Sequence, residues 1–270
     1  MSVKYNLLTK HSNSAEVLVL GNSHTFFGIQ PKYLSEKAIN ISNKSRKLET
    51  DYFILKHHIK KLKALKRVMI PISYYTLFTN DISEQEKRLY YNFYKLKEYD
   101  QQLLKNSLLI NAPFRELIDD LIFNRFEKIE HSLGWRANSG TYHFNEKEIL
   151  ERVGDVNGRV NNSVEIAYNL KILKKIIDLC ENMEVDLVLI LPPYHPDFYR
   201  YSKGRYERKI EDALSTLDLK ETIIINSKTL GIKSEEYFEN IDHLNSNGAK
   251  VLTRKIDSIL MNFKKCSPEL

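Results

Sequence analysis

The chain has 270 residues, of which 42% are hydrophobic and 28% are charged, a balance typical of globular proteins that excludes wholesale disorder. Its two cysteines, Cys180 and Cys266, are too few for a disulfide scaffold or a cysteine-rich metal cluster. The 41 basic residues outnumber the 35 acidic residues by six, an excess that only weakly favours acidic partners.

The first residues of the chain carry no obvious targeting signal. Residues 1–10 lack the long apolar core of a signal peptide, and no apolar run approaches the roughly 18 residues needed to cross a bilayer. The protein is therefore expected to be cytoplasmic as written, or extracytoplasmic if a leader or anchor has been removed. No membrane association is visible in the chain.

Short apolar runs predict the strands of a parallel sheet, because continuous apolar runs suit strands that are buried on both faces. The runs are residues 17–20, 38–41, 68–72, 185–191 and 222–225. Amphipathic patterns predict helices between and after these strands. The predicted helices span residues 51–66, 167–180 and 249–263. The alternation predicts an α/β fold with a parallel central sheet that is covered on both faces by helices.

Residues 79–163 interrupt this alternation. The segment is rich in Tyr and Phe, has a mostly helical pattern, and becomes loop-like around Gly134-Trp135 and residues 138–140. We interpret it as an insertion or cap within a single domain over residues 1–270, whose core comprises residues 15–78 and 164–263. The alternative interpretation is that the segment is simply more core helix.

The first candidate for chemistry is Ser23, in a Gly-Asn-Ser-His-Thr turn directly after the first predicted strand. Ligands of parallel α/β sheets bind beyond the carboxyl ends of the strands, and a following helix N-terminus favours negative charge at that place. A serine hydroxyl needs a neighbouring general base. His24 is a poor candidate for the base, because adjacent side chains rarely face each other. The alternative reading of the segment is an ordinary helix cap.

The second candidate is His243, in the loop that precedes the last predicted helix. This loop follows the last predicted strand, so His243 is expected at the same carboxyl edge as Ser23. Histidine is the usual base for serine activation because its unperturbed pKa lies near neutrality. It needs a partner that fixes its tautomer, and Asp242 and Asn240 are the local candidates. The alternative is a surface histidine beside a helix cap.

Taken together, these segments resemble the SGNH (GDSL-like) hydrolase superfamily, and more closely the SGNH-like proteins of bacterial surface-polysaccharide loci. The resemblance lies in G-N-S-H-T at residues 21–25 and I-D-H-L-N-S-N-G-A at residues 241–249. It is supported by G-I-Q-P at 28–31, I-P-I-S-Y-Y at 70–75 and L-P-P-Y-H at 191–195. The resemblance implies a flavodoxin-like three-layer sandwich with a mostly helical, aromatic-rich insertion.

The resemblance also implies roles for particular residues. Ser23 would be the nucleophile and His243 the general base. The oxyanion donors would come from the amide of Ser23 and from two further blocks, represented here by Asn43 and by Ser73, where the usual Asn is missing. The remaining residues expected at the oxyanion and substrate-binding site are Asn22, Tyr74 and Tyr194. The two tyrosines offer flat faces on which sugars could stack.

One departure from the family pattern affects the catalytic triad. The family has D-x-x-H, whereas the position three residues before His243 is Asn240. Asn can orient an imidazole but offers no negative charge to the imidazolium. Asp242 is a substitute, although a residue directly before a histidine usually points elsewhere. A Ser-His-Asn triad, a Ser-His dyad and a degenerate enzyme therefore remain open.

The function implied by the resemblance is a serine-dependent acyl-ester hydrolase or O-acyltransferase that acts on O-acetyl groups of a carbohydrate or surface polysaccharide. The alternative is a catalytically degenerate SGNH-fold protein that binds glycan or assists polysaccharide assembly. No cofactor is expected, unless a transferase uses acetyl-CoA or another acyl donor. No metal is expected, because the histidines lack ligand spacing. No nucleic-acid partner is expected, because the lysine-rich residues 56–63 fit a solvated helix face.

Overall fold

The computed structural model describes residues 1–99 and 132–266. Its centre is a sheet of five parallel strands in the order β2-β1-β3-β4-β5. The strands are β1 (Val17–Val19), β2 (Ala38–Asn40), β3 (Arg67–Pro71), β4 (Asp186–Leu191) and β5 (Thr222–Asn226). They match the five apolar runs to within one residue at each end. Every residue of β1, β2 and β3 is buried, which explains why these strands are continuous rather than alternating apolar runs.

Helices surround this sheet, and most of them begin at a side-chain cap that satisfies a free backbone amide. In chain order the helices of the described residues are α1 (Ser2–Lys10), α2 (Ser23–Gly28), α3 (Leu48–His58), α4 (Tyr74–Leu77), α5 (Glu84–Tyr94), α6 (Glu146–Val160), α7 (Ser163–Asn182), α8 (Pro196–Ser202), α9 (Arg205–Leu214) and α10 (Ser246–Cys266). The caps are Asn22 for α2, Ser73 for α4, Ser83 for α5, Asn145 for α6, Asn162 for α7 and His195 for α8.

The strand order places the helices in two layers. The chain moves from β1 to β2 in one direction and then from β2 through β3 and β4 to β5 in the other. Because such crossovers are right-handed, α2 lies on one face of the sheet and α3, α7 and α9 lie on the other. The packing agrees, since α2 contacts α10 and α7 contacts both α3 and α9. The fold is a three-layer α/β sandwich of flavodoxin-like topology, which confirms the predicted fold class.

Several helices differ from the sequence prediction: α3 ends early, and α1, α4, α8 and α9 had no predicted counterpart. Helix α3 ends at His58, and a 3₁₀ turn over Ile59–Lys61 follows it, whereas the periodic pattern predicted a helix to residue 66. The chain leaves the helix because the amides of Lys63 and Lys66 bond to the carbonyls of Ser12 and Glu16, at 2.9 and 2.8 Å, ahead of β1. Helix α1 had no counterpart among the predicted elements, because its apolar residues show no clear helical period.

The predicted insertion is described in part. Helices α5 and α6 and the loop at Gly134-Trp135 lie within residues 79–163, and residues 100–131 lie outside the described residues. One side of α6 is buried in the main hydrophobic core through Ile149, Val153 and Val156. The division into a core and an insertion stays a prediction. Among the described helices, none combines the length and apolar character that a bilayer crossing requires.

The direction of the strand order reverses at β1, whose neighbours are β2 and β3. The carboxyl ends of β1 and β3 therefore flank the crevice where open α/β sheets bind their ligands. Gly21 leaves β1 with φ +106°, and an added Cβ there would lie 2.2 Å from Cδ of Pro71, at the end of β3. The close approach of the two strand exits requires glycine at this turn. The residue that follows this turn and its cap is Ser23.

Candidate active site

Ser23 is the first residue of α2, and its position is fixed by the residue before it. The side-chain oxygen of Asn22 accepts from the amide of His24 at 3.1 Å and caps the helix. The side-chain nitrogen of Asn22 donates to Oγ1 of Thr76 at 3.1 Å, which ties the turn to α4 beyond β3. Asn22 is buried, whereas Ser23 is partly exposed. The fold thus presents the Ser23 hydroxyl at the mouth of the crevice.

The structure brings Ser23 and His243 together. Oγ of Ser23 lies 2.8 Å from Nε2 of His243, although the two residues are 220 positions apart. The histidine stands on the loop before α10, as the sequence predicted from its place after the last strand. This distance is within the range over which an imidazole can take a hydroxyl proton.

Asp242 contacts the other nitrogen of the same imidazole. Its Oδ1 lies 2.9 Å from Nδ1 of His243, and its side chain is fully buried. The side-chain oxygen of Asn240 lies 3.2 Å from the same Nδ1. The Nδ1 hydrogen is therefore shared between a carboxylate and an amide, and the carboxylate is the nearer acceptor.

A tight loop explains how a residue directly before the histidine can face its ring. The side-chain oxygen of Asn240 accepts from the amides of Asp242 at 3.1 Å and His243 at 2.9 Å, which is the hydrogen-bond pattern of an Asx turn. The amide of Glu239 also donates to the carbonyl of His243 at 3.0 Å. Asn240 therefore shapes the loop, and Asp242 places a carboxylate against Nδ1 of His243.

The second oxygen of Asp242 is held by residues from two other elements. The hydroxyl of Tyr74, the first residue of α4, donates to Oδ2 at 2.5 Å. Nε of Arg152, on α6, lies 3.5 Å from the same oxygen. Arg152 was not anticipated from the sequence, because it occupies an ordinary polar position on an amphipathic helix and belongs to no local motif.

These contacts keep Asp242 ionised. Burial alone would raise the pKa of Asp242, but the charge and hydrogen bond of His243 and the charge of Arg152 outweigh burial and hold the pKa well below its usual range. The pKa of Tyr74 is raised far above its ordinary value by burial and by the adjacent carboxylate. Tyr74 therefore stays a neutral donor to Asp242.

The structure corrects the roles expected for four of the predicted substrate-binding residues. Tyr74 and Tyr194 are buried, with their hydroxyls bonded to Asp242 and to Tyr206, so neither ring is available to a sugar. Ser73 is fully buried and caps α4 by accepting from the amide of Thr76. The amide group of Asn22 is engaged within the turn, as described above. All four side chains are buried and hold neighbouring residues of the site in place.

Asn43 is the predicted oxyanion donor that remains in a suitable place. Its backbone amide donates to the carbonyl of Gly21 at 3.0 Å, so its loop lies directly beside the serine turn. Its side chain is partly exposed, and its oxygen accepts from the amide of Lys44 at 3.0 Å. Within the described part of the chain its side-chain nitrogen has no hydrogen-bond partner, and this leaves a donor for a ligand.

His24 lies against the imidazole of His243 rather than against Ser23. The two rings stack with their centroids 5.1 Å apart and their planes at 14°. Nδ1 of His24 lies 3.0 Å from the side-chain oxygen of Asn22, and its Nε2 is buried without a partner among the described residues. Burial, followed by the charge of His243, lowers the pKa of His24 to about 3. His24 is therefore a neutral packing partner of the His243 ring.

His24, Asp242 and His243 also form a cluster of potential metal ligands, with ligand atoms within 4.8 Å of one another. The geometry does not suit one ion. A ring nitrogen directs its lone pair in the plane of its ring, and the two nearly parallel rings do not converge on a common point. Asp242 and Nδ1 of His243 already share a hydrogen bond. The hydrogen bond between Asp242 and His243 and the stacking of the two rings account for the cluster.

The low pKa of His24 predicts a loss of stability in acid. Its folded pKa of about 3 lies below its unfolded value of 6.5, so the unfolded chain binds a proton that the folded chain excludes. The contribution of neutral His24 to the free energy of unfolding is fully present above pH 6.5. It is lost as the pH falls towards 3, by up to about 1.4 kcal/mol per pH unit. Between pH 6.5 and 4.5 we expect the free energy of unfolding of His24→Gln to fall by about 2 kcal/mol less than that of the wild type. Urea unfolding at both pH values measures this difference. Parallel losses in the two proteins would contradict this prediction.

A strap formed by residues 132–142 connects the helix of Ser23 to the loop of His243. Nε1 of Trp135 donates to the carbonyl of Phe27 at 2.6 Å, near the end of α2. The amide of Ser246 donates to the carbonyl of Asn138 at 2.8 Å, and the amide of Tyr142 donates to the carbonyl of Phe238 at 2.8 Å. The strap therefore fixes the distance between α2, which carries Ser23, and the loop that carries His243.

A groove of about 710 Å³ borders the Asp242 side of this site. It lies between residues 141–155 and residues 239–242 and ends at Asn240 and Asp242. Besides Asp242, its lining includes four carboxylates, from Glu148, Glu151, Asp155 and Glu239, and the rings of Tyr142 and Phe144. Phe144 is 58% exposed, so an apolar ring is available in an otherwise polar lining.

Comparison with known proteins gives a distant structural neighbour. No protein-family model matches the chain, and no curated protein sequence matches it. Among solved structures, the chain is similar to a Streptococcus pneumonia protein provisionally described as a platelet activating factor, with 11% sequence identity and a TM-score of 0.46. The similarity covers 96% of this chain and 90% of the neighbour.

Proposed function

We propose that the protein is a serine-dependent acyl-ester hydrolase or O-acyltransferase of the SGNH type. The observation that carries the proposal is the connected line Ser23–His243–Asp242, with heavy-atom separations of 2.8 and 2.9 Å. A hydroxyl, an imidazole and a buried ionised carboxylate in this order are the components that activate a serine nucleophile. The G-N-S-H-T and I-D-H segments that resemble the superfamily supply all three groups.

In the acylation step, Oγ of Ser23 attacks the carbonyl carbon of an ester while Nε2 of His243 takes the hydroxyl proton. Asp242 accepts the hydrogen bond donated by Nδ1, holds the ring in the tautomer with a free Nε2, and stabilises the imidazolium that forms. When the tetrahedral intermediate collapses, the ester C–O bond breaks and the imidazolium returns the proton to the leaving alcohol. The product of this step is an acyl ester on Ser23.

In the second step, Nε2 of His243 takes a proton from the acceptor hydroxyl, whose oxygen attacks the acyl carbon. Water as acceptor gives hydrolysis, and a sugar hydroxyl gives transfer, so the outcome depends on whether water is excluded. The proton then passes from His243 to Oγ of Ser23 as the acyl group leaves. The triad residues serve both reactions equally.

The oxyanion of each tetrahedral intermediate needs hydrogen-bond donors. We assign this role to the amide of Ser23, at the start of α2, and to the side-chain nitrogen of Asn43. Helix N-termini favour negative charge, and pre-placed donors stabilise an oxyanion at no cost of reorganisation. Ser73 does not take the third-block role, because its hydroxyl is buried within the α4 cap.

Removal of the Asn43 amide is expected to slow acylation. We predict that Asn43→Ala lowers kcat for p-nitrophenyl acetate by about 10²-fold or more, the usual effect of losing one oxyanion donor. Asn6→Ala is the matched control, since Asn6 is exposed on α1. Equal rates for the two variants would remove Asn43 from the oxyanion site.

For the substrate, we propose an O-acetylated carbohydrate. The resemblance to proteins of surface-polysaccharide loci suggests this class. The groove beside Asp242 is consistent with it, because sugars are bound by polar side chains together with exposed aromatic rings, and the groove offers polar side chains and the exposed ring of Phe144. The acyl acceptor would be water in a hydrolase and a sugar hydroxyl in a transferase.

The decisive experiment asks whether Ser23 is an activated nucleophile. The native protein is treated with an alkyl fluorophosphonate, and the adduct is located by mass spectrometry after proteolysis. We expect one equivalent of label on Ser23, with none on Ser23→Ala or on heat-denatured protein. Absence of label from the native protein would contradict the proposal and favour a degenerate protein that binds glycan. The reagent reports acylation whichever acceptor the enzyme uses.

A further inference from the structure

Arg152 approaches the triad from outside the two segments that define it. Its Nε lies 3.5 Å from Oδ2 of Asp242, the oxygen that faces away from His243. The carboxylate is fully buried, whereas 43% of the Arg152 side chain is exposed in the groove beside α6. The charge of Asp242 is the first cause of the raised pKa of Arg152, so this guanidinium stays charged.

Charged and polar groups from three helices and from its own loop surround Asp242. Helix α2 contributes the hydroxyl of Ser23 and the neutral ring of His24, and α4 contributes the neutral hydroxyl of Tyr74. Its own loop contributes the imidazole of His243 and an amide from Asn240. Helix α6 contributes Arg152, with Asp155 nearby on the same helix. Among these groups of the described residues, Arg152 is therefore the permanent cation that faces the buried carboxylate of Asp242 before His243 takes up a proton.

We propose that Arg152 is a positioning residue that holds Asp242 and sets the pH range in which His243 can activate Ser23. This inference rests on the proposed function. Because Arg152 already balances part of the charge of Asp242, protonation of His243 gains less from that carboxylate. Removal of the Arg152 charge is therefore expected to disfavour the neutral imidazole, the form that can accept the serine proton. Helix α6 thereby contributes to the chemistry through charge, without contact with the reacting atoms.

The test measures the rate of fluorophosphonate labelling of Ser23 between pH 4.5 and 8.5. For Arg152→Gln we expect the acid limb of the profile to move to higher pH by about 0.5 to 1 unit, the effect of one partly exposed charge after allowance for solvent screening. Arg152→Lys retains the charge and is expected to restore the wild-type midpoint. Lys147→Gln also removes one cation from α6, but its side chain is 84% exposed, so the profile should not move.

A second measurement separates this inference from the proposed function. The ring C–H signals of His243 are titrated by NMR in Ser23→Ala and in Ser23→Ala combined with Arg152→Gln, which requires no activity. A midpoint displaced to higher pH in the double variant supports the inference. An unchanged midpoint, or a lower plateau rate of labelling with no displacement, would overturn it and leave Arg152 a purely structural role. Failure of the wild type to label at Ser23 would refute the proposed function alone, since the titration still decides the effect of Arg152.

Discussion

Replacement of Asp242 by Asn is expected to slow acylation of Ser23 by about 10³- to 10⁴-fold, the loss seen when a triad carboxylate becomes an amide. The hydrogen bonds of Asp242 explain why. Tyr74 donates to Oδ2 of Asp242, so the oxygen of an Asn at this position would turn towards Tyr74 and its NH₂ towards Nδ1 of His243. Nδ1 would then have to accept, and the ring would carry its hydrogen on Nε2, where it cannot take the proton of Ser23. The measurement is the second-order rate constant for fluorophosphonate labelling.

A reciprocal exchange provides the control for this variant. In Asn240→Asp combined with Asp242→Asn, the carboxylate moves to a position whose oxygen lies 3.2 Å from the same Nδ1. It can still accept the two backbone amides that shape the loop, so we expect the double variant to label about tenfold faster, or more, than Asp242→Asn alone. Wild-type labelling of Asp242→Asn would instead assign the orienting role to Asn240 and support the Ser-His-Asn alternative.

The meeting of Ser23 and His243 could be predicted from the sequence because it follows from strand topology. Each residue comes after an apolar run that forms a strand, and the carboxyl ends of parallel strands lie at one edge of a sheet. Periodicity also predicted the positions of the longer helices α3, α7 and α10, although it did not predict the end of α3. That end depends on backbone hydrogen bonds to Ser12 and Glu16, which no local pattern encodes.

The sequence could not predict that Asp242 lies nearer than Asn240 to Nδ1 of His243, because contacts from distant elements decide it. An Asx turn at Asn240 rotates the loop, and Tyr74 and Arg152 hold the outer oxygen of Asp242. Tyr74 was expected in the substrate site for a related reason. A residue at a strand exit can face either the crevice or the core, and the sequence does not say which side its χ1 angle selects.

The connection between Ser23 and His243 predicts that the two act as a unit. We expect Ser23→Ala and His243→Ala each to lower kcat for p-nitrophenyl acetate by roughly 10⁶-fold, and the double variant to lose no more than either single variant. The reason is that Nε2 of His243 acts only on the hydroxyl 2.8 Å away, and that hydroxyl is a weak nucleophile without the imidazole. His57→Ala is the matched control, because His57 is a partly exposed residue of α3 paired with Glu98. Losses that multiply in the double variant would mean that the two side chains act independently, and that Ser23 receives its activation from another base.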